Sequence, residues 1–332
     1  MLLKIPGGKL MKLKKVILII IAVIIVIGII CVFAFSGKNS NSNNDGKINI
    51  VSSNFASYDF ARAIAKGNDK VEVKFLLGPG KDSHSYEPTA ADLITLQNSD
   101  LFIYIGGDSE KWCDKVLDSL DTSKTKKMCI ADFVDKLDEE EIDGAEVEDE
   151  EDEDGAFDDH IWTSPLNSIK MVEAIEKELE SIDGENASIY KENADKYISE
   201  IKDVDAKIQD VVDHKVRDRL VFADKMPMQY FINYYGLKVS AAFNGCSTET
   251  EPSASTIAYL EDVVKKEKIP VILYIELNPG RVAETIANEV GNGCKTMQIQ
   301  SLHNVSLDDF NNGETWVSLM TRNIEVLKAA LQ

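Results

Sequence analysis

Only four histidines occur in this 332-residue chain, so where they fall is informative. His84 lies in GPGKDSHSYEPTAADL, residues 78–93, and His160 in DDHIW, residues 158–162. The run before the first motif, VEVKFLL at 71–77, is rich in β-branched and large apolar residues and is stopped by Gly78-Pro79-Gly80. Thr89, followed three residues later by Asp92, has the N-cap pattern of a helix start ahead of Leu93 and Ile94. His84 is therefore expected in a strand-to-helix loop, where parallel α/β sheets present groups to ligands. Later in the chain, Asp224 ends the strand-like run 220–223, Cys246 follows 238–243, and Glu276 closes 271–276. All of these are expected to face one cleft. Two imidazoles with a carboxylate or a thiolate suit zinc, and an oxygen-rich version would favour manganese. A lone loop histidine is more often a hydrogen-bonded surface residue than a ligand, so the convergence carries the reading.

The elements that must position these groups alternate along the chain. Strand-like runs at 48–52, 71–77, 101–105 and 127–130 are separated by helical runs near 56–66, 90–98 and 110–120. Helix returns at 167–179 and over about 185–214, where Tyr190, Ala194, Tyr197, Ile201, Val204, Ile208 and Val211 recur at alternating spacings of four and three. At about 1.5 Å per residue that helix approaches 45 Å, long enough to bridge two domains. A second alternating set follows, with strands at 220–223, 238–243, 271–276 and 296–300 and helices near 229–235, 254–266, 282–290 and 315–331. The fold class expected is α/β: two four-stranded, mainly parallel lobes joined by one long helix, with a cleft between them.

Composition bounds the setting. Hydrophobic residues make up 44% of the chain, ordinary for a globular protein with a real core. Of the net charge of −21, 15 acidic residues fall in 138–159 with no Lys or Arg, which leaves −6 for the rest. Such a run is expected to be a solvated loop, and the charge balance excludes nucleic acid as a partner. Residues 16–35 form an apolar run of 20 preceded by Lys12, Lys14 and Lys15, enough to span a bilayer with the remainder outside. Met11 before Leu-Lys-Lys looks like the translation start. Cys31 is a possible lipid attachment, although Gly28-Ile29-Ile30 departs from the small residue expected just before a lipid-bearing cysteine. The organisation expected is a signal or anchor at 1–35, a flexible linker at 36–46, a first lobe at 47–183, a linking helix at 184–217 and a second lobe at 218–332. Cys113, Cys129, Cys246 and Cys294 have no tight spacing, and no disulfide framework is implied.

HSYEPT at 84–89 and DHIW at 159–162, with YFINYYGL, STETEPSASTIAYL and VILYIELNPGRVAETIA further on, resemble the successive motifs of the zinc/manganese solute-binding proteins of ABC importers, the TroA-like superfamily. The resemblance runs from about Lys47 to the C-terminus. It implies two α/β lobes linked by a rigid helix, holding a metal that is passed to a membrane permease with its ATPase; the protein is expected to be anchored outside and to act as a monomer. It implies that His84 and His160 are ligands of the first lobe. The family's third ligand falls on Lys225, which cannot coordinate while protonated. Asp224 beside it is the natural substitute, with Cys246 or Glu249 for the fourth place and Glu276 as an acceptor behind a ligand imidazole or an alternative ligand. His303 also follows a strand, but no motif supports it, and His214 is read as a charge complement at a helix C-terminus. The rivals are an extracellular zinc hydrolase, which would keep an open coordination position for water, and a surface adhesin that works through its acidic loop.

Overall fold

Parallel strands need crossovers of a dozen or more residues, and the alternation in this sequence supplies one after each strand. The computed structural model describes residues 46–81, 83, 85–121, 123–146, 157–245 and 251–332. The apolar run at 16–35 with Cys31, the linker 36–45, His84, Cys246 and Glu249 lie outside the described residues. No helix among those described is long and apolar enough to cross a membrane.

Residues 47–332 form one compact unit. Its first sheet contains β1 (Ile48–Ser52), β2 (Val71–Phe75), β3 (Leu101–Tyr104) and β4 (Lys126–Cys129) in the spatial order β2-β1-β3-β4, all parallel. Its crossovers are α1 (Phe55–Ile64), α2 (Ala90–Gln97) and α3 (Trp112–Ser119). Helices α4 (Pro165–Ile182) and α5 (Ala187–Asp213) follow. The second sheet repeats the order as β6-β5-β7-β8, built from β5 (Arg219–Phe222), β6 (Lys238–Ala241), β7 (Val271–Ile275) and β8 (Lys295–Ile299). It carries α6 (Gln229–Tyr235), α7 (Ala254–Glu267), α8 (Arg281–Val290), the short α9 (Leu307–Asn311) and α10 (Trp316–Leu331). The order expected from the sequence is thus the order found, with α9 the helix that its pattern did not announce.

Helix α5, 27 residues long, buries every residue of the apolar seam from Tyr190 to Val211. It packs against α4, α10 and α1. One carboxylate ties three of these helices together. Asp59 of α1 accepts hydrogen bonds from the Tyr197 hydroxyl of α5 and from the backbone N–H of Trp316 at 2.7 Å, and pairs with Arg62 at 2.7 Å. Burial pushes the Asp59 pKa up against the opposing pull of Arg62 and these donors.

The acidic run departs from expectation. Its first part, 138–146, is not a solvated loop but a strap laid across the second lobe. The Glu140 N–H donates to Gln229 Oε1 at 3.1 Å, the Ile142 N–H donates to Asn244 Oδ1 at 3.0 Å, and Glu146 bridges Phe243 as an isolated β-pair. Ile142 is buried, and the Tyr259 ring lies where a Cβ on Gly144 would sit. Side-chain amides satisfy the strap's backbone and the Glu146 carboxylate accepts from Ser253 N–H and the Thr256 hydroxyl at the start of α7, so the acidity of the segment does not prevent docking.

Asp59→Ala is expected to lower the unfolding free energy by about 3 kcal/mol in urea titrations. Most of the loss comes from orphaning two buried donors rather than from the ion pair, because Arg62 is partly open to solvent. A change below about 1 kcal/mol would show that the three helices do not depend on this carboxylate.

Candidate functional site

The loops at the carboxyl ends of the strands converge on a cleft of about 280 Å³, lined from the first lobe by Lys81 and from the second by Asp224, Lys225, Glu276, Arg281 and His303. His84 itself lies outside the described residues. The described residues around it show a loop turned by Gly78 and Gly80, both at positive φ, and closed by a capping box in which Thr89 and Asp92 bond reciprocally at the start of α2. The helix start read from the sequence is present.

His160 opens a 3-10 turn, Ile161–Thr163, and is buried. Asp158 accepts from the His160 backbone N–H at 2.8 Å and from its Nδ1 at 2.9 Å, so one carboxylate sets both the backbone and the ring. Asp159 stands 3.4 Å from the same ring nitrogen and accepts the Ser109 N–H at 2.9 Å. Asp158, Asp159 and His160 bring ligand-type atoms within 4.8 Å of one another. Because Asp158 is committed to Nδ1, the cluster reads as one imidazole and the carboxylates that orient it.

Behind Asp159 lies a second buried acid. Glu110 accepts the N–H groups of Ile105 at 2.7 Å and Gly106 at 3.1 Å, holding the turn whose Gly107 leaves no room for a Cβ beside Asp159. Burial pushes its pKa up to about 7, against those amide bonds and with help from the Asp159 charge.

On the second lobe, Asp224 ends the β5 region as expected, but both its oxygens are engaged by backbone amides, Lys225 N–H at 2.9 Å and Ile275 N–H at 3.0 Å. Burial raises its pKa against these bonds. Glu276 is likewise bound to the loop after β8: it accepts from Ser301 N–H at 2.7 Å, Ser301 Oγ at 2.8 Å and Asn304 N–H at 3.4 Å. Its carboxylate thus grips a loop rather than a ring. The residue that sequence reasoning left aside is His303, whose ring centroid lies 5.5 Å from that of His160. The only signal for it was its place after a strand. His214 is exposed at the end of α5, with its Nδ1 2.7 Å from Asp210 O.

Two lobes of identical strand order, spanned by one long helix and opening their loop ends toward each other, define a solute-binding protein of the two-lobed class. The sequence matches the family described as zinc-uptake complex component A, periplasmic, over residues 50–330, and the chain belongs to that family. It is 31% identical over 285 residues to the zinc-binding lipoprotein AdcA of Streptococcus pneumoniae, covering 86% of this chain and 56% of that protein. The chain therefore spans little more than half the length of that curated relative. It is 28% identical over 302 residues to the high-affinity zinc uptake system protein ZnuA of Bacillus subtilis, covering 89% of this chain and 91% of the relative. The solved Zn(II)-bound ZnuA-like domain of Streptococcus pneumoniae AdcA matches the structure with a TM-score of 0.72 at 30% identity, over 86% of this chain and 99% of that domain.

The Glu110 geometry sets a pH dependence with a definite sign. Its pKa is about 7 in the folded state against 4.5 ordinarily, so the folded state holds the proton more tightly. The stability that the protonated group contributes is complete below pH 4.5 and lost as pH rises through about 7. Glu110→Gln is expected to flatten that fall and to raise stability above pH 7 by up to about 3 kcal/mol, read as the melting temperature across a pH series. An unchanged pH profile would contradict the assignment.

Proposed function

We propose that this chain is an extracytoplasmic solute-binding protein that captures a divalent transition metal, Zn²⁺ ahead of Mn²⁺, in the cleft between its lobes and delivers it to the permease of an ABC importer driven by its ATPase. The observation that carries the reading is the buried His160, with Nδ1 on Asp158 at 2.9 Å. A carboxylate behind an imidazole fixes its tautomer and raises its basicity toward a metal, and a surface histidine has no need of it. The family and the zinc-binding names of its relatives agree with this chemistry.

In this reading His84 joins His160 from the first lobe, and the second-lobe candidates are Asp224, Cys246, Glu249 and Glu276. A set of protein donors that fills the coordination sphere leaves no position for an attacking water, which suits carriage rather than hydrolysis. Neither the hydrolase nor the adhesin is favoured by the relatives. Residues 1–35 serve as the membrane anchor, by the apolar run or by lipid on Cys31, and 36–46 as the tether. Residues 47–183 and 218–332 act as the two lobes around the helix of 184–217, and the protein works as a monomer.

Titration of the full-length chain, held in detergent, is expected to give one tightly bound equivalent of zinc, lost in the His84→Ala/His160→Ala double variant. Zinc binding that survives the double substitution would remove this site from the account. Asp158→Asn is expected to weaken zinc binding by about 10- to 100-fold in chelator competition while the circular dichroism spectrum is unchanged. Equal affinity would show that the carboxylate does not orient a ligand.

A further inference from the structure

We infer that the strap at 138–146 is a latch: it leaves the first lobe, grips the second, and by holding or letting go sets how readily the cleft opens. The latch itself stands on the contacts of the strap; its consequence for zinc release rests on the reading of the cleft as a carrier site.

The root of the strap is fixed to the first lobe at the residue that orients His160. Leu137 O accepts the Asp158 N–H at 2.9 Å, Asp138 and Phe157 form an isolated antiparallel pair, and Lys136 Nζ lies 4.6 Å from the centre of the Phe157 ring. Asp158 in turn accepts from the His160 N–H and Nδ1. A pull on the strap is therefore delivered two residues from the imidazole. The other end grips the second lobe. Gln229 Nε2 donates to Asp138 O at 2.7 Å while its Oε1 accepts the Glu140 N–H at 3.1 Å, so one buried amide clamps the strap from both sides. The Glu146 N–H donates to Ala242 O at 3.0 Å and Glu146 O accepts the Asn244 N–H at 3.0 Å, which adds a rung beyond β6, the outer strand of the sheet. The Glu146 carboxylate accepts the Ser253 N–H at 2.5 Å and the Thr256 hydroxyl at 2.7 Å at the N-terminus of α7, where negative charge is favoured.

The segment is built to let go as well as to hold. Of residues 138–146 only Ile142 is buried, so detachment exposes one large apolar side chain and breaks hydrogen bonds near solvent while both sheets stay intact. Six of the nine residues are acidic, and their mutual repulsion favours the detached form. Against it stands Glu146: burial opposes its ionisation, but the Thr256 and Ser253 donors outweigh burial and hold its pKa below the usual carboxylate range. The docked strap is thus a balance of repulsion along its length and anchoring at its tip.

Hydrogen exchange on the full-length chain in detergent tests the latch without any metal. The reporter is the Gly80 N–H, which donates to Val305 O at 2.9 Å across the cleft and is no part of the strap. Gly144 has φ 80°, and the Tyr259 ring occupies the place of a Cβ there, so Gly144→Val is expected to pry the strap off. Glu146→Ala removes the anchor at the tip. Both variants are expected to speed exchange at Ile142, Asn244 and Ser253, and by about tenfold or more at Gly80, while the amides of β3 and β7 keep the parent's rates. Zinc release from the loaded protein to a chelator is expected to accelerate by a similar factor. Faster exchange in the strap with Gly80 unchanged would overturn the latch and leave the strap a passive cover. Ile142 and Ser253 amides already unprotected in the parent would overturn it too. Faster Gly80 exchange in a protein that takes up no zinc would uphold the latch and overturn the carrier reading instead. Should the valine variant not fold, the alanine variant decides.

Discussion

The interaction on which this structure depends is the buried carboxylate that accepts from backbone amides. Asp158 fixes the turn of His160 as well as its ring, Glu276 grips both flanks of His303, Asp224 ties the end of β5 to β7, and Glu110 holds the turn behind Asp159. An isolated buried carboxylate would be costly, but several amide donors compensate its charge, and the loop gains a stiffness that apolar packing alone does not give it. Loops at strand ends are otherwise the softest parts of an α/β protein. Here they are tied by charge-assisted bonds to buried carboxylates.

A site shared by two lobes also constrains how the lobes move. Helix α5 is locked along its length by its buried seam, and Asp59 binds α1 and the start of α10 to it. The strap at 138–146 adds a second crossing, bonded to Gln229 and Asn244 of the other lobe. With a long helix on one side and a hydrogen-bonded strap from the first lobe on the other, wide hinge opening would break many contacts together. Small displacements of the strand-end loops cost far less.

Much of this was legible in the sequence because it rests on periodicity. The seam from Tyr190 to Val211 is buried residue by residue as its spacing requires, the Thr89–Asp92 cap forms, and the strand order repeats in both lobes. What was not legible depends on partners distant in the chain. The charge of 138–146 argued for solvent, because the amides of Gln229 and Asn244 that receive the strap are about a hundred residues away. Asp224 was legible as the end of a strand, and only the fold shows both of its oxygens on amides. His303 sits in Gln300-Ser301-Leu302-His303, which has no motif, and its place beside Trp162 and His160 comes from the fold rather than from its neighbours in sequence.

The same distribution of bonds bears on metal preference. Manganese favours oxygen donors, and zinc accepts imidazole nitrogen readily. Among the described residues around the cleft, the carboxylates of Asp158, Asp224 and Glu276 are committed to amide or imidazole N–H groups, and Asp159 to the Ser109 amide. The His160 and His303 ring centroids lie 5.5 Å apart with their planes at 60°. Moving any one of these four carboxylates would break a bond that its loop relies on. The acids whose oxygens are engaged here are the ones on which the loops depend for their backbone bonding.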